Sequence, residues 1–218
     1  MIHTLEADGI QLEFDGRKIL SDIYIKVETG TITGLLGRNG AGKSCLLKII
    51  YGSMQCEKSV RIDKISQNEA FKQSALLLYL PQFNFIPKTL SLKRIFKDFE
   101  IEYDLFQKRF PEFASRYTTT AGKLSGGELR LVELYAIVKS PSLFALLDEP
   151  FTHLNPAQIE KVKALLLEEK VNKGLIITDH MYLHVTTVAD NLYVLTDGKT
   201  HLTRSPEDIE RLGYAKLQ

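Results

Sequence analysis

The 218 residues carry 28 Lys and Arg against 27 Asp and Glu, a formal net charge of +1. That balance excludes a global electrostatic pull toward nucleic acid or acidic lipid and leaves only local patches. With 44% hydrophobic and 25% charged residues, the chain suits one packed globular domain, or one with a small satellite. Its two cysteines, Cys45 and Cys56, suggest a reduced cytosolic protein rather than a disulfide framework. The opening MIHTLEADGIQLEF has no signal-peptide pattern. No apolar run approaches the roughly 20 residues of a membrane helix, so work at a membrane would need spans on another chain.

In chain order, Ile10 to Phe14 reads as a strand, Asp15-Gly16 as a turn, Ile19 to Val27 as a strand and Glu28-Thr29-Gly30 as a turn. Thr31 to Leu36 is a short apolar strand entering Gly37-Arg38-Asn39-Gly40-Ala41-Gly42-Lys43-Ser44, which fits G-x-x-x-x-G-K-S/T. Glycines let successive backbone N–H groups face inward as an anion nest. Lys43 can then reach the outer phosphates of a nucleotide and Ser44 can ligand Mg²⁺. Cys45 to Tyr51 reads as the following helix, its positive end toward the phosphates and Gly52 its stop.

Ala75 to Leu80, Leu143 to Leu147 and Leu175 to Ile177 are near-continuous apolar runs, the signature of strands covered on both faces in a parallel sheet. Between Phe83 and Leu124 the character changes: seven of the chain's eleven Phe residues fall there, among Lys, Arg and Glu. This stretch reads as a small inserted helical subdomain. Its aromatics form either a core or an apolar groove for a partner helix.

Leu124-Ser125-Gly126-Gly127-Glu128 can be read as a helix start, since Ser125 and Glu128 have capping-box spacing and Leu129 to Val138 continues with apolar periodicity. Two consecutive glycines are costly for capping alone. A hydroxyl and bare N–H groups at a helix N-terminus would make a second anion site. Leu143 to Leu147 ends in Asp148-Glu149, the expected second half of a phosphate-loop ATPase: Asp148 beside the metal, Glu149 placed to polarise a water. Asn155-Pro156 then starts a helix expected to run to Gly174.

LSGGE together with GRNGAGKS and LFALLDEP resembles the ATP-binding-cassette ATPases over nearly the whole chain. The resemblance implies an α/β fold: a P-loop core with a mostly parallel sheet, an antiparallel β subdomain at the N-terminus and an inserted helical subdomain at about 83–140, all within one domain, 1–218. It implies ATP and Mg²⁺ as cofactors, and a head-to-tail dimer, homo- or heteromeric, in which LSGGE of one chain meets the γ-phosphate bound by the other. By the same resemblance Gln82 senses Mg²⁺ and the attacking water, His180 contacts the γ-phosphate, Glu149 is catalytic, and Phe14 stacks on adenine. Nucleotide contacts would come from Gly37 through Cys45 and from Ser125 through Glu128, and metal contacts from Ser44, Gln82 and Asp148. Two positions depart from the family pattern: Asn155 stands where Asp is usual, and Cys45 replaces a second hydroxyl. No other catalytic position is missing, so an active ATPase is expected.

What the motion drives has two readings. One is the nucleotide-binding subunit of a transporter, peripheral on the cytoplasmic face of the cell membrane, with separate permease chains docking between Gln82 and the helical subdomain. The other is a soluble remodelling enzyme. Only 42 residues, 83 to 124, separate Gln82 from Ser125, too few for the coiled coil of chromosome and repair members, and translation-factor members carry two cassettes. An iron–sulfur assembly ATPase is the remaining alternative, and no nucleic acid is expected. Asp148-Glu149-Pro150-Phe151 with Asn155-Pro156, and Ile177-Thr178-Asp179-His180, look like the cassettes of branched-chain amino-acid importers and lipopolysaccharide exporters.

Overall fold

The computed structural model describes residues 1–203 and 206–214. The chain opens on β1 (Thr4–Phe14), in which Leu5, Ala7, Ile10 and Leu12 point inward. The step from Ala7 to Ile10 breaks the two-residue alternation, and a bulge at Gly9 (φ 58°) restores the inward face. Asp15 (φ 48°) and Gly16 (φ 77°) reverse the chain into β2 (Arg17–Leu20) with the twist that two-residue hairpins favour. β3 (Tyr24–Glu28) follows. The single strand expected from Ile19 to Val27 is therefore two. The chain breaks at Ser21 and Asp22, whose N–H groups donate to the Gly198 carbonyl at 2.8 and 3.3 Å. β2 pairs with the distal half of β1 and β3 with its proximal half.

β4 (Ile32–Leu36) is buried at all five positions and delivers the phosphate loop to α1 (Lys43–Tyr51). Gly52 (φ 89°) ends α1 by donating its N–H to the carbonyls of Lys48 and Ile49. β5 (Glu57–Ile62) and β6 (Ile65–Ser66) complete the antiparallel sheet on the other edge of β1. β7 (Leu77–Leu80) begins the far edge of the second sheet.

After β7 come α2 (Leu92–Asp98), α3 (Tyr103–Arg109) and α4 (Gly126–Lys139), and among the described residues no strand interrupts them. The aromatics divide by position. Phe96, Phe106, Phe110 and Phe113 are fully enclosed, with Phe106 and Phe113 ring centroids 4.6 Å apart. Phe83 and Phe85 instead face solvent, at 75% and 37% exposure. Every residue of α4 from Leu129 to Val138 is buried. It is thus a central helix surrounded on all sides, not the one-sided helix that apolar periodicity suggested.

The chain closes with β8 (Phe144–Asp148), α5 (Pro156–Glu169), β9 (Gly174–Thr178), α6 (Tyr182–Thr186), β10 (Asn191–Thr196), β11 (Lys199–Thr203) and α7 (Pro206–Arg211). Among the described residues the second sheet runs β11-β10-β4-β9-β8-β7, parallel throughout except for β11. Gly174 is not the end of α5, which stops before Lys170. It opens β9, where a Cβ would lie 2.6 Å from Cδ1 of Phe144 and 2.9 Å from the Glu28 carbonyl oxygen. Glycine is needed there for close approach of backbone to ring. In an open α/β sheet ligands bind beyond the carboxyl ends of the strands. Those ends here present the phosphate loop after β4, Gln82 after β7, Asp148-Glu149 at β8 and His180 after β9.

Candidate active site

The phosphate loop is held open by its glycines. Gly40 and Gly42 have φ of 79° and 103°, values that a side chain would strain, and a Cβ on Gly37 would lie 2.7 Å from the Leu195 carbonyl oxygen. Lys43 lies inside the loop, its Nζ donating to the carbonyls of Gly37 (2.6 Å) and Arg38 (3.2 Å). Burial lowers the pKa of this ammonium, against the pull of Glu149, Asp148 and Asp179. A buried cation in a glycine-rich loop at the start of a helix is suited to receive an anion.

Ser44 Oγ donates to Asp148 Oδ1 at 3.1 Å, and the Tyr79 hydroxyl donates to Asp148 Oδ2 at 3.0 Å. Burial raises the Asp148 pKa, and these two bonds pull it back down. The next residue, Glu149, has a left-handed backbone (φ 51°), unusual outside glycine and typical of functional strain. Its N–H donates to the Thr178 carbonyl at 2.7 Å, and Thr152 Oγ1 donates to its Oε2 at 3.3 Å. His180 Nδ1 stands 3.6 Å from Glu149 Oε2.

Lys43, Ser44, Glu149 and His180 share one open cleft of about 590 Å³, lined also by Phe14, Ile19, Asn39, Gly40, Gly42, Cys45 and Gln82; Gly37 and Asp148 lie behind its lining. Phe14 is half exposed there. Arg38 and Ala41 face an adjoining cleft, where Arg38 donates to the Gly213 carbonyl at 2.7 Å. Ser125, Gly126, Gly127 and Glu128 do not line the nucleotide-side cleft. They form the start of α4 with both capping-box bonds made, and Gly127 lies so close to the 149–155 loop that a Cβ would be 2.5 Å from the His153 carbonyl oxygen.

The phosphate loop and the two carboxylates lie within residues 20–152, the stretch that matches the family model described as ABC transporter. This chain belongs to the ABC transporter family. The cassette is 31% identical over 222 residues to the lipopolysaccharide export system ATP-binding protein LptB of Haemophilus influenzae, covering 94% of this chain and 92% of that one. It is 30% identical to a probable ABC transporter ATP-binding protein of Azorhizobium caulinodans, covering 94% and 79%. A solved ATP-binding subunit of an ABC transporter shares the fold at 21% identity, with a TM-score of 0.80 over 95% of this chain and 92% of that one. The cassette is accordingly an ATP-binding ATPase.

Four polar residues hold the cleft of the cassette and were not singled out from the sequence. Tyr79 binds Asp148, as described. Asp179 is fully buried, with a pKa raised by that burial, and accepts from the N–H groups of Phe151 (3.1 Å) and Met181 (2.9 Å). It thereby ties the loop after Glu149 to the segment carrying His180. Arg130 and Glu133 sit inside α4. Their signal was available: two charges spaced three apart within an otherwise apolar run.

Among the described residues no group of three His, Cys, Asp or Glu side chains could hold a metal ion by itself. Mg²⁺ takes one or two protein oxygens and completes its shell with phosphates and water. Ser44 and Asp148 supply hard oxygen donors already in contact, so the residues present fit that ion.

Proposed function

We propose that the cassette hydrolyses ATP in the cleft between the phosphate loop and Glu149, at a site completed by LSGGE of a second cassette. One observation carries this reading: Lys43, Ser44, Gln82, Glu149, His180 and Phe14 share one cleft, and Ser125 to Glu128 stay outside it. Phe14 offers a ring for adenine, and Lys43 with the loop N–H groups takes the phosphates. Ser44, Asp148 and Gln82 would hold Mg²⁺, which would supply charge neutralisation for the phosphates. Glu149 accepts the proton of the attacking water as the bond to ADP breaks, while His180 steadies the γ-phosphate. Separate permease chains would dock beside Gln82, where exposed Phe83 and Phe85 offer an apolar surface. The names of the relatives support a transport role, and with it this reading places the cassette on the cytoplasmic face of a membrane; no observation favours iron–sulfur assembly. No helix among the described residues is long and apolar enough to cross a membrane.

Glu149→Gln tests the proton-acceptor role. Turnover should fall about 10²–10⁴-fold, the usual worth of a general base, with ATP binding retained in equilibrium titration. Turnover near the wild-type rate would remove Glu149 from that role.

A further inference from the structure

Arg130 and Glu133 face the same side of α4 and are 2% and 0% exposed. Buried charges must be compensated; these two attract across 3.9 Å between Nη1 of Arg130 and Oε2 of Glu133, a separation too long for a hydrogen bond. Each instead binds backbone or amide groups beside the cleft. Arg130 donates through Nη1 to the Pro81 carbonyl (2.7 Å) and through Nη2 to the carbonyls of Asp148 (2.6 Å) and Glu149 (2.9 Å). Glu133 accepts through Oε1 from the N–H groups of Phe85 (2.7 Å) and Ile86 (3.0 Å), and through Oε2 from Asn84 Nδ2 (2.9 Å). Gln82 is therefore bracketed, with Pro81 held on one side and Asn84 to Ile86 on the other, both from one turn of α4. The same guanidinium holds the strained backbone of Glu149.

We propose that Arg130 and Glu133 are positioning residues that set Gln82 relative to Glu149, with Glu133 acting through the Gln82 segment. The proposal rests on the catalytic reading of Gln82 and Glu149, so its test includes a readout independent of turnover. Glu133→Gln keeps the shape of the side chain and removes its charge. In the full chain, amide hydrogen exchange at Phe85 and Ile86 should speed up by about tenfold or more, since charge-assisted bonds are lost. Steady-state kcat should fall about 10- to 100-fold, the cost of a misplaced catalytic group, with KM for ATP changed less than about twofold. In a Gln82→Ala background the same substitution should cause no further loss, because residues acting through one another are not additive.

Unchanged exchange at Phe85 and Ile86 would overturn the clamp itself. A kcat loss that multiplies with that of Gln82→Ala would show that Glu133 acts elsewhere. Faster exchange with kcat indifferent to Gln82→Ala would overturn the proposal through the reading beneath it. Should Glu133→Gln fail to fold, Asn84→Ala removes one partner from an exposed position. Its expected loss in kcat is about threefold, absent in the Gln82→Ala background, and an additive loss would overturn the proposal.

Discussion

The buried ammonium of Lys173 gives the cassette a pH dependence separate from its chemistry. Its Nζ donates to the Ser140 carbonyl at 2.6 Å and to Ser142 Oγ at 3.3 Å. Burial lowers its pKa to about 8 from an ordinary 10.5, with Glu169 opposing the fall and Lys139 adding to it. Because the folded pKa is the lower one, the unfolded chain binds more protons between the two values, and stability rises with pH across that window. The unfolding free energy of wild type minus that of Lys173→Met should therefore grow by about 2 kcal/mol from about pH 8 to about pH 10. Urea titrations at the two pH values read this difference, and a flat one would contradict it. Nothing in Asn172-Lys173-Gly174 marks the lysine as buried; its enclosure depends on groups 31 and 33 residues away in the chain. The cleft residues were more legible. Gln82, Glu149 and His180 sit at strand ends within recognisable motifs, whereas Tyr79 and Asp179 act through tertiary contacts that no local spacing records.

At the scale of elements, helix starts were legible because capping is local. Asn155 accepts from the Gln158 N–H at 2.9 Å and Gln158 returns the bond at 3.2 Å, so both capping-box bonds form although Asn stands where the family usually has Asp. Asn155→Ala should cost about 1 kcal/mol of unfolding free energy, and Asn155→Asp should restore or slightly exceed wild type because an anion suits a helix N-terminus. Chemical denaturation measures both, and an unchanged midpoint for Asn155→Ala would contradict the capping role. Helix and strand ends set by packing were less legible. Gly174 resembled a helix stop but serves the contact with Phe144, and the strand from Ile19 to Val27 divides because Gly198, far along the chain, draws Ser21 and Asp22 aside. The all-round burial of α4 was hidden for the same reason: Arg130 and Glu133 imitate a polar face until their backbone partners are seen.

At the scale of the molecule, the parallel sheet sends Gln82, Glu149, His180 and the phosphate loop to one end, and that arrangement follows from strand order alone. The start of α4 is different. The Ser125 and Glu128 N–H groups are capped and Gly127 packs on the 149–155 loop, outside the cleft that holds Lys43. A site built from Lys43 of one copy and Ser125 of another accounts for both halves. Mixing two disabled variants tests that claim most directly. Lys43→Ala and Ser125→Arg should each be inactive alone. In an equimolar mixture about half the dimers pair the two variants, each with one intact site, so turnover should return to about a quarter of wild type. A mixture no more active than the mean of its two components would contradict the composite site.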